Sequence, residues 1–281
     1  MAKITFNSEF FNIKDTLECG QIFRFNKHDD GYVVFTLDKC AYLYSLGDKT
    51  VILCEDSDEE YFYNYFDLAR DYSVIYDGAK SQSAKILSDA AEFGKGIRIL
   101  NQDKIETLFS FIVSQNNNIP RIKGILNKLC ASLGEKKSFN GIDYYAFPSL
   151  EKMAEQDQDF YKGIGLGYRA EYILRLAKDL ASGMDVENYI SLPVNDLKKQ
   201  LLKIHGVGPK VADCVALFGY HKSDSFPVDT WIEKVYKQDF NGNLKDRAKI
   251  AEWFTTEFKE NSGYYQQYLF YYKREMEKTQ N

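Results

Sequence analysis

A chain of 281 residues with 44% hydrophobic and 27% charged residues is long enough for one large or two modest cores, and its balance excludes disordered and fibrous classes. A formal net charge of −5 speaks against a uniformly basic DNA-binding surface, yet a local positive cleft can sit on an acidic protein. No apolar run approaches the roughly 20 residues of a membrane helix, and MAKITFNSEFFNIKD has neither a continuous apolar segment nor a small-residue cleavage site, so the expectation is cytoplasmic, with no membrane association or targeting signal.

Residues 1–96 read as one α+β unit. The runs QIFRFNK, GYVVFTLDK, AYLYSLGDK and TVILCE are β-branched and aromatic, separated by Asp-Asp-Gly and Gly-Asp turns. That pattern predicts a meander of antiparallel strands. EEYFYNYFDLAR and the stretch around SAKILSDAAEF read as helices covering one face of the sheet.

Residues 97–281 have the helical period. Ile105, Leu108, Phe109, Ile112 and Val113 form one buried stripe. Ile122, Ile125, Leu126 and Leu129 form the next, after an interruption at Asn116-Asn117-Asn118, with Pro120 suited to a first turn. Ile173, Leu176, Ala177 and Leu180 make a third, and GYYQQYLFYYKRE is a final helix with an aromatic face. The expected class is therefore α+β: an antiparallel-sheet domain followed by an all-helical region. Cys19, Cys40, Cys54, Cys130 and Cys214 show no CxxC pair, which points to reduced, buried thiols and away from an iron–sulfur cluster.

The segment LKKQLLKIHGVGPKVADCVALF, residues 197–218, is the most informative. Leu197, Leu201 and Ile204 give one helical stripe; Val211, Cys214, Val215 and Phe218 give another. Between them, Gly206 and Gly208 flank Val207, allowing a tight reversal that exposes backbone N–H groups at the start of the second helix. Those groups and the helix dipole form a phosphate site, while Val207 turns inward to hold the helices together. Lys210 falls in the first turn, where the positive dipole end disfavours an ammonium ion and favours a nucleophilic amine. Cys214 shares its face four residues on. In SFPVDTWIEKVY, Asp229 sits where the next helix begins, fixed and kept ionised by helix N–H groups and able to stabilise a cationic sugar.

The hairpin followed by Pro-Val-Asp resembles the helix-hairpin-helix glycosylase superfamily, and the lysine after Gly-Val-Gly resembles its bifunctional branch. CGQIFRF, SQNNNIPRIKGI, GIGLGYRAEYI, HGVGPKVADC, FPVDTW and GYYQQYLF occur in the order found in the 8-oxoguanine DNA glycosylases. The resemblance implies a DNA N-glycosylase with abasic-site lyase activity that flips 8-oxoguanine out of duplex DNA. Lys210 would form a Schiff base and Asp229 would stabilise the oxocarbenium charge. The resemblance further implies that the Gly20 carbonyl accepts the lesion's N7–H. Phe270 and Cys214 sandwich the base, and Gln266 reads its Watson–Crick edge. Asn116 fills the vacated gap, Arg121 and Arg169 hold the estranged cytosine, and Tyr168 wedges beside it. Leu202, Ile204 and Val207 match positions whose carbonyls hold a structural alkali ion; no other cofactor is required. The implied partner is double-stranded DNA with 8-oxoguanine opposite cytosine, bound by a monomer.

Trp231 departs from the pattern, since many relatives carry histidine there, so no phosphate contact is carried over to it. Two alternatives remain at this level. Lys210 argues against a monofunctional alkyl-base glycosylase of the same fold, and Asp229 downstream of it argues against a non-catalytic DNA-binding hairpin module.

Overall fold

The computed structural model describes residues 1–278. Its first part contains β1 (Ala2–Asn7), α1 (Ile13–Glu18), β2 (Phe25–His28), β3 (Gly31–Thr36), β4 (Lys39–Leu46), β5 (Lys49–Cys54), α2 (Glu59–Tyr65), α3 (Tyr72–Lys80) and α4 (Lys85–Phe93). The strands form one antiparallel sheet in the order β1-β5-β4-β3-β2. Strands β2 to β5 are the expected meander. Strand β1 is an addition: its alternation, Ala2 and Ile4 inward and Lys3 and Thr5 outward, is too short to stand out in sequence.

Val34, Leu43 and Ile52 of the sheet pack against Leu17 of α1 and Phe62, Tyr65 and Phe66 around α2. The expected helix over SAKILSDAAEF forms as α4 but does not cover the sheet. Leu87, Ala90 and Ala91 join the large helical core instead. A Cβ on Gly94, just past α4, would meet the Tyr268 ring at 3.1 Å, so the backbone lies close against the C-terminal helix.

The remainder contains α5 (Lys104–Ser114), α6 (Ile119–Leu133), β6 (Lys136–Phe139), β7 (Ile142–Tyr145), α7 (Leu150–Ala154), α8 (Gln158–Gly163), α9 (Arg169–Ala181), α10 (Val194–Leu201), α11 (Pro209–Phe218), α12 (Thr230–Gln238), α13 (Arg247–Phe258) and α14 (Ser262–Lys278). The four stripes read from sequence lie on α5, α6, α9 and α11 and meet in one core. Caps set the ends: Asp103 accepts from the Glu106 N–H at 2.7 Å, and Asn118 accepts from the Arg121 N–H at 3.0 Å.

Hairpin β6–β7 interrupts the helical region. Its signal is Asn140-Gly141, both at positive φ (49° and 78°), which suits a tight two-residue turn. Phe139, Ile142 and Tyr144 cover Val33, Phe35 and Cys40 on the outer face of the sheet. The two parts are also joined by a buried ion pair, Arg24 Nη1 to Glu106 Oε1 at 3.0 Å, with Glu106 Oε2 accepting from the Leu37 N–H. All five cysteines are buried and unpaired. Among the described residues, no helix is long and apolar enough to cross a membrane.

Candidate active site

A cleft of about 330 Å³ opens among α5, α11, α14, the turn after α1 and the segment entering α12. Gly20, Lys210, Cys214, Asp229, Gln266 and Phe270 all line it. These are the residues that sequence reasoning assigned to catalysis and base recognition, drawn here from opposite ends of the chain. Phe111, Phe218, Pro227 and Gln267 complete the lining and were not assigned. Phe111 lies off the apolar stripe of α5, a helix buried on every side from Glu106 to Val113. An apolar residue off the stripe was the available signal.

Lys210 is the second residue of α11, whose N-cap Gly208 offers no side chain to the helix N–H groups. The Lys210 Nζ lies 5.4 Å from the centre of the Phe111 ring. Burial pushes the Cys214 thiol up to about 11, against the lowering effect of the Lys210 charge and a hydrogen bond from Lys210. Cys214 is thus a neutral thiol near pH 7, suited to contact with a flat base.

Asp229 is the N-cap of α12. Its Oδ1 accepts from the Trp231 N–H at 2.9 Å and the Ile232 N–H at 3.0 Å. Burial raises the carboxyl above the usual range, opposed by the Ile232 N–H and then by the Lys210 charge. Cap and catalytic candidate are therefore the same residue, and the capping bonds fix the carboxylate's direction. Lys234 Nζ lies 4.7 Å from the centre of the Trp231 ring.

Gln266 Nε2 donates to the Pro227 carbonyl at 3.1 Å. Its Oε1 is buried with no partner among the described residues. An orphaned amide oxygen on a cleft wall is an acceptor for a ligand N–H. Gly20 has φ +90°, and a Cβ there would stand 3.3 Å from Phe270 Cε1 and from Arg274 Nη1. The conformation favours glycine, and a side chain would also press on Phe270 and Arg274.

In the hairpin, Gly206 has φ +86° and a Cβ would lie 2.5 Å from Tyr172 Cγ, whereas a Cβ on Gly208 would meet nothing within 4 Å. The second glycine therefore faces open space at the uncapped start of α11. Val207 is buried in the core, as expected. The turn below it is closed by the Val207 N–H donating to the Ile204 carbonyl at 3.0 Å.

The opposite-base candidates divide into two settings. Asn116, at φ +45°, donates from Nδ2 to the Tyr168 hydroxyl at 3.3 Å, and Tyr168 is 52% exposed. Arg121 is exposed beside them, with Nη2 3.3 Å from the Gly165 carbonyl. Arg169 is instead only 3% exposed. It donates to the Gln115 carbonyl from Nε at 2.7 Å and from Nη2, and to the Asn116 carbonyl at 3.0 Å. Gln115 Nε2 in turn donates to the Gly206 carbonyl at 2.9 Å. Arg169 thus clamps the strained Asn116 turn, and that turn is bonded to the glycine hairpin.

Known protein families match both parts of the chain. Residues 3–108 match the family described as 8-oxoguanine DNA glycosylase, N-terminal domain, and residues 109–260 match HhH-GPD superfamily base excision DNA repair protein. A probable N-glycosylase/DNA lyase of Methanothermobacter thermautotrophicus is 32% identical over 76% of this chain and 73% of its own length. An N-glycosylase/DNA lyase of Saccharomyces cerevisiae is 33% identical over 66% of this chain. The match spans only 52% of the yeast protein. The crystal structure of the Clostridium acetobutylicum 8-oxoguanine glycosylase/lyase, in complex with dsDNA containing cytosine opposite 8-oxoG, superposes with a TM-score of 0.91 at 36% identity, over 96% of this chain and 93% of that one.

Proposed function

The chain belongs to the HhH-GPD superfamily of base excision DNA repair proteins and carries the N-terminal domain of the 8-oxoguanine DNA glycosylases, and on that premise we propose that it is a bifunctional glycosylase/lyase excising 8-oxoguanine from duplex DNA, with cytosine as the preferred opposite base. The observation that carries this reading is the meeting of Lys210 and Asp229 on one cleft that also holds Gly20, Cys214, Gln266 and Phe270.

A base inside a duplex is out of reach, so the nucleotide rotates into the cleft. There Phe270 and the neutral Cys214 thiol take its two faces, and Gln266 Oε1 accepts an N–H from its edge. Lys210, as a free amine, attacks C1′ while the C1′–N9 bond breaks and its electron pair leaves with the base. The Asp229 carboxylate lies where positive charge develops on the sugar, and such fixed charge is the largest lever available to a site of this kind. The amine loses a proton and the ring opens to a Schiff base. Loss of a C2′ proton then expels the 3′ phosphate. Gly206 and Gly208 shape the hairpin so that main-chain N–H groups at the uncapped start of α11 grip a backbone phosphate, whereas the Val207 N–H, expected to share in this, is taken by the Ile204 carbonyl.

A structural alkali ion belongs to the same reading, on the carbonyls of Leu202, Ile204 and Val207. The Ile204 carbonyl has one lone pair occupied by the Val207 N–H and a second available. Neutral oxygen donors suit a monovalent ion, which would add positive charge beside the phosphate. The protein would act as a monomer in the cytoplasm.

Borohydride trapping tests the proposal. Wild-type protein incubated with 8-oxoguanine opposite cytosine should become covalently linked to the DNA. A protein that releases the base without any trappable adduct would be monofunctional.

A further inference from the structure

Helix α1 and the turn after it, which carries Gly20, are held by α14 through three hydrogen bonds. The Tyr271 hydroxyl donates to Asp15 Oδ1 at 2.7 Å, Gln267 Nε2 to the Cys19 carbonyl at 2.7 Å, and Arg274 Nη2 to the Glu18 carbonyl at 2.7 Å. The same helix presents Gln266 and Phe270 to the cleft. Of these three residues, Arg274 also lies against Phe270. It is 6% exposed, and its guanidinium carbon lies 5.2 Å from the centre of the Phe270 ring, one helical turn earlier. Its Nη1 is buried without a hydrogen-bond partner among the described residues and lies 3.3 Å from where a Gly20 Cβ would be. Its Nε reaches Glu275 Oε1 at 2.9 Å, so the charge is paired while the rest of the fork is turned toward Gly20.

From this geometry we infer that Arg274 is a positioning residue for lesion recognition: it locks the Gly20 carbonyl and the Phe270 ring into one rigid reading frame. A carbonyl that must distinguish N7–H from a bare N7 lone pair works only if it cannot retreat. A small displacement would relieve the repulsion against guanine and weaken the bond to the lesion at once. Arg274 removes that freedom from both sides of the base. Its planar fork can bond Glu18 while stacking on Phe270, and a lysine can bond but cannot stack in the same way. Arg274 touches neither Lys210 nor Asp229 in the structure, so Schiff-base chemistry on a sugar that has already lost its base does not depend on it.

The inference rests on the proposed activity, and its test separates the two. Wild-type protein, Arg274→Leu and Arg274→Lys are assayed on two duplexes, one with 8-oxoguanine opposite cytosine and one with a preformed abasic site. Wild-type excision of 8-oxoguanine checks the activity itself. Given that activity, Arg274→Leu should lose tenfold or more in kcat/KM on the lesion while cleaving and trapping at the abasic site within about twofold of wild type. Arg274→Lys should recover part of the loss. Should Arg274→Leu fail to fold, Arg274→Lys carries the test, with the same selective loss expected to a smaller extent. Equal losses on both duplexes would mean a general structural role, and unchanged lesion excision would mean no role; either result overturns the inference.

Discussion

Gln266 Nε2 donates to the Pro227 carbonyl at 3.1 Å, two residues before Asp229. The helix proposed to read the base is therefore bonded directly to the segment that carries Asp229. The same bond sets the orientation of the amide, leaving Oε1 buried without a partner among the described residues.

Lys210→Gln should abolish excision and borohydride trapping while leaving duplex binding within a few-fold, because the phosphate grip is main chain and the hairpin glycines are untouched. Filter binding alongside trapping checks both halves. Persistent trapping in this variant would falsify the assignment of Lys210 as nucleophile.

Asp229→Asn should keep α12 capped, since asparagine caps as well as aspartate, yet lose base excision because no negative charge faces the sugar. Burial raises the Asp229 carboxyl, so folding favours its protonated form. The ionised carboxylate therefore costs stability above the folded-state value, and that cost vanishes as pH falls below the unfolded carboxylate value of about 3.9. Thermal melts at pH 7 should show the asparagine variant at least as stable as wild type, with the gap closing in acid. For excision, the acid limb should lie above the ordinary carboxylate range, because the ionised form is the active one.

Gly20→Ala combines a positive φ with a Cβ pressed between Phe270 and Arg274. A loss of roughly 1 kcal/mol in stability is expected. Lesion excision should fall further than that loss explains, since the carbonyl's place changes. Urea melts paired with single-turnover excision measure the difference, and wild-type excision by this variant would locate N7 recognition elsewhere.

Arg121 and Arg169 should behave differently despite their shared sequence-level role. Arg121→Ala, which removes an exposed guanidinium resting on the Gly165 carbonyl and leaves the main-chain bond to Asn118 in place, should keep stability intact and reduce the preference for cytosine by about tenfold. Arg169→Ala strips donors from the Gln115 and Asn116 carbonyls and should cost about 1–3 kcal/mol. It should slow excision opposite every base, because the Asn116 turn loses its clamp. Four opposite-base duplexes with a melt of each variant distinguish the two patterns. Matching behaviour of the two variants would contradict the structural division.

Gly206→Ala places a Cβ 2.5 Å from Tyr172 Cγ at φ +86°. The turn must shift, taking the Gln115 bond with it. Binding to lesion and to undamaged duplex should weaken together, and electrophoretic titration of both measures this. Selective loss for the lesion alone would argue against a phosphate-gripping hairpin.

What the sequence determined by itself was local. The cap at Asp229, the glycine hairpin and the stripes of α5, α6, α9 and α11 follow from rules that act over three or four residues. Lys210 and Cys214 were legible as neighbours because one helical turn separates them. The roles of Gly20, Gln266 and Phe270 came only through family resemblance, because no periodicity joins the two ends of a chain. Tertiary packing brought those ends together: Gln267 bonds to Cys19 across 248 positions. It also decided that α4 joins the helical core, that β1 and the β6–β7 hairpin complete and cover the sheet, and that Arg169 is buried beneath Asn116 while Arg121 stays exposed. An arginine in a sequence does not say whether its donors will meet solvent or carbonyls. That depends on which loops close over it, and closure is a property of the whole core.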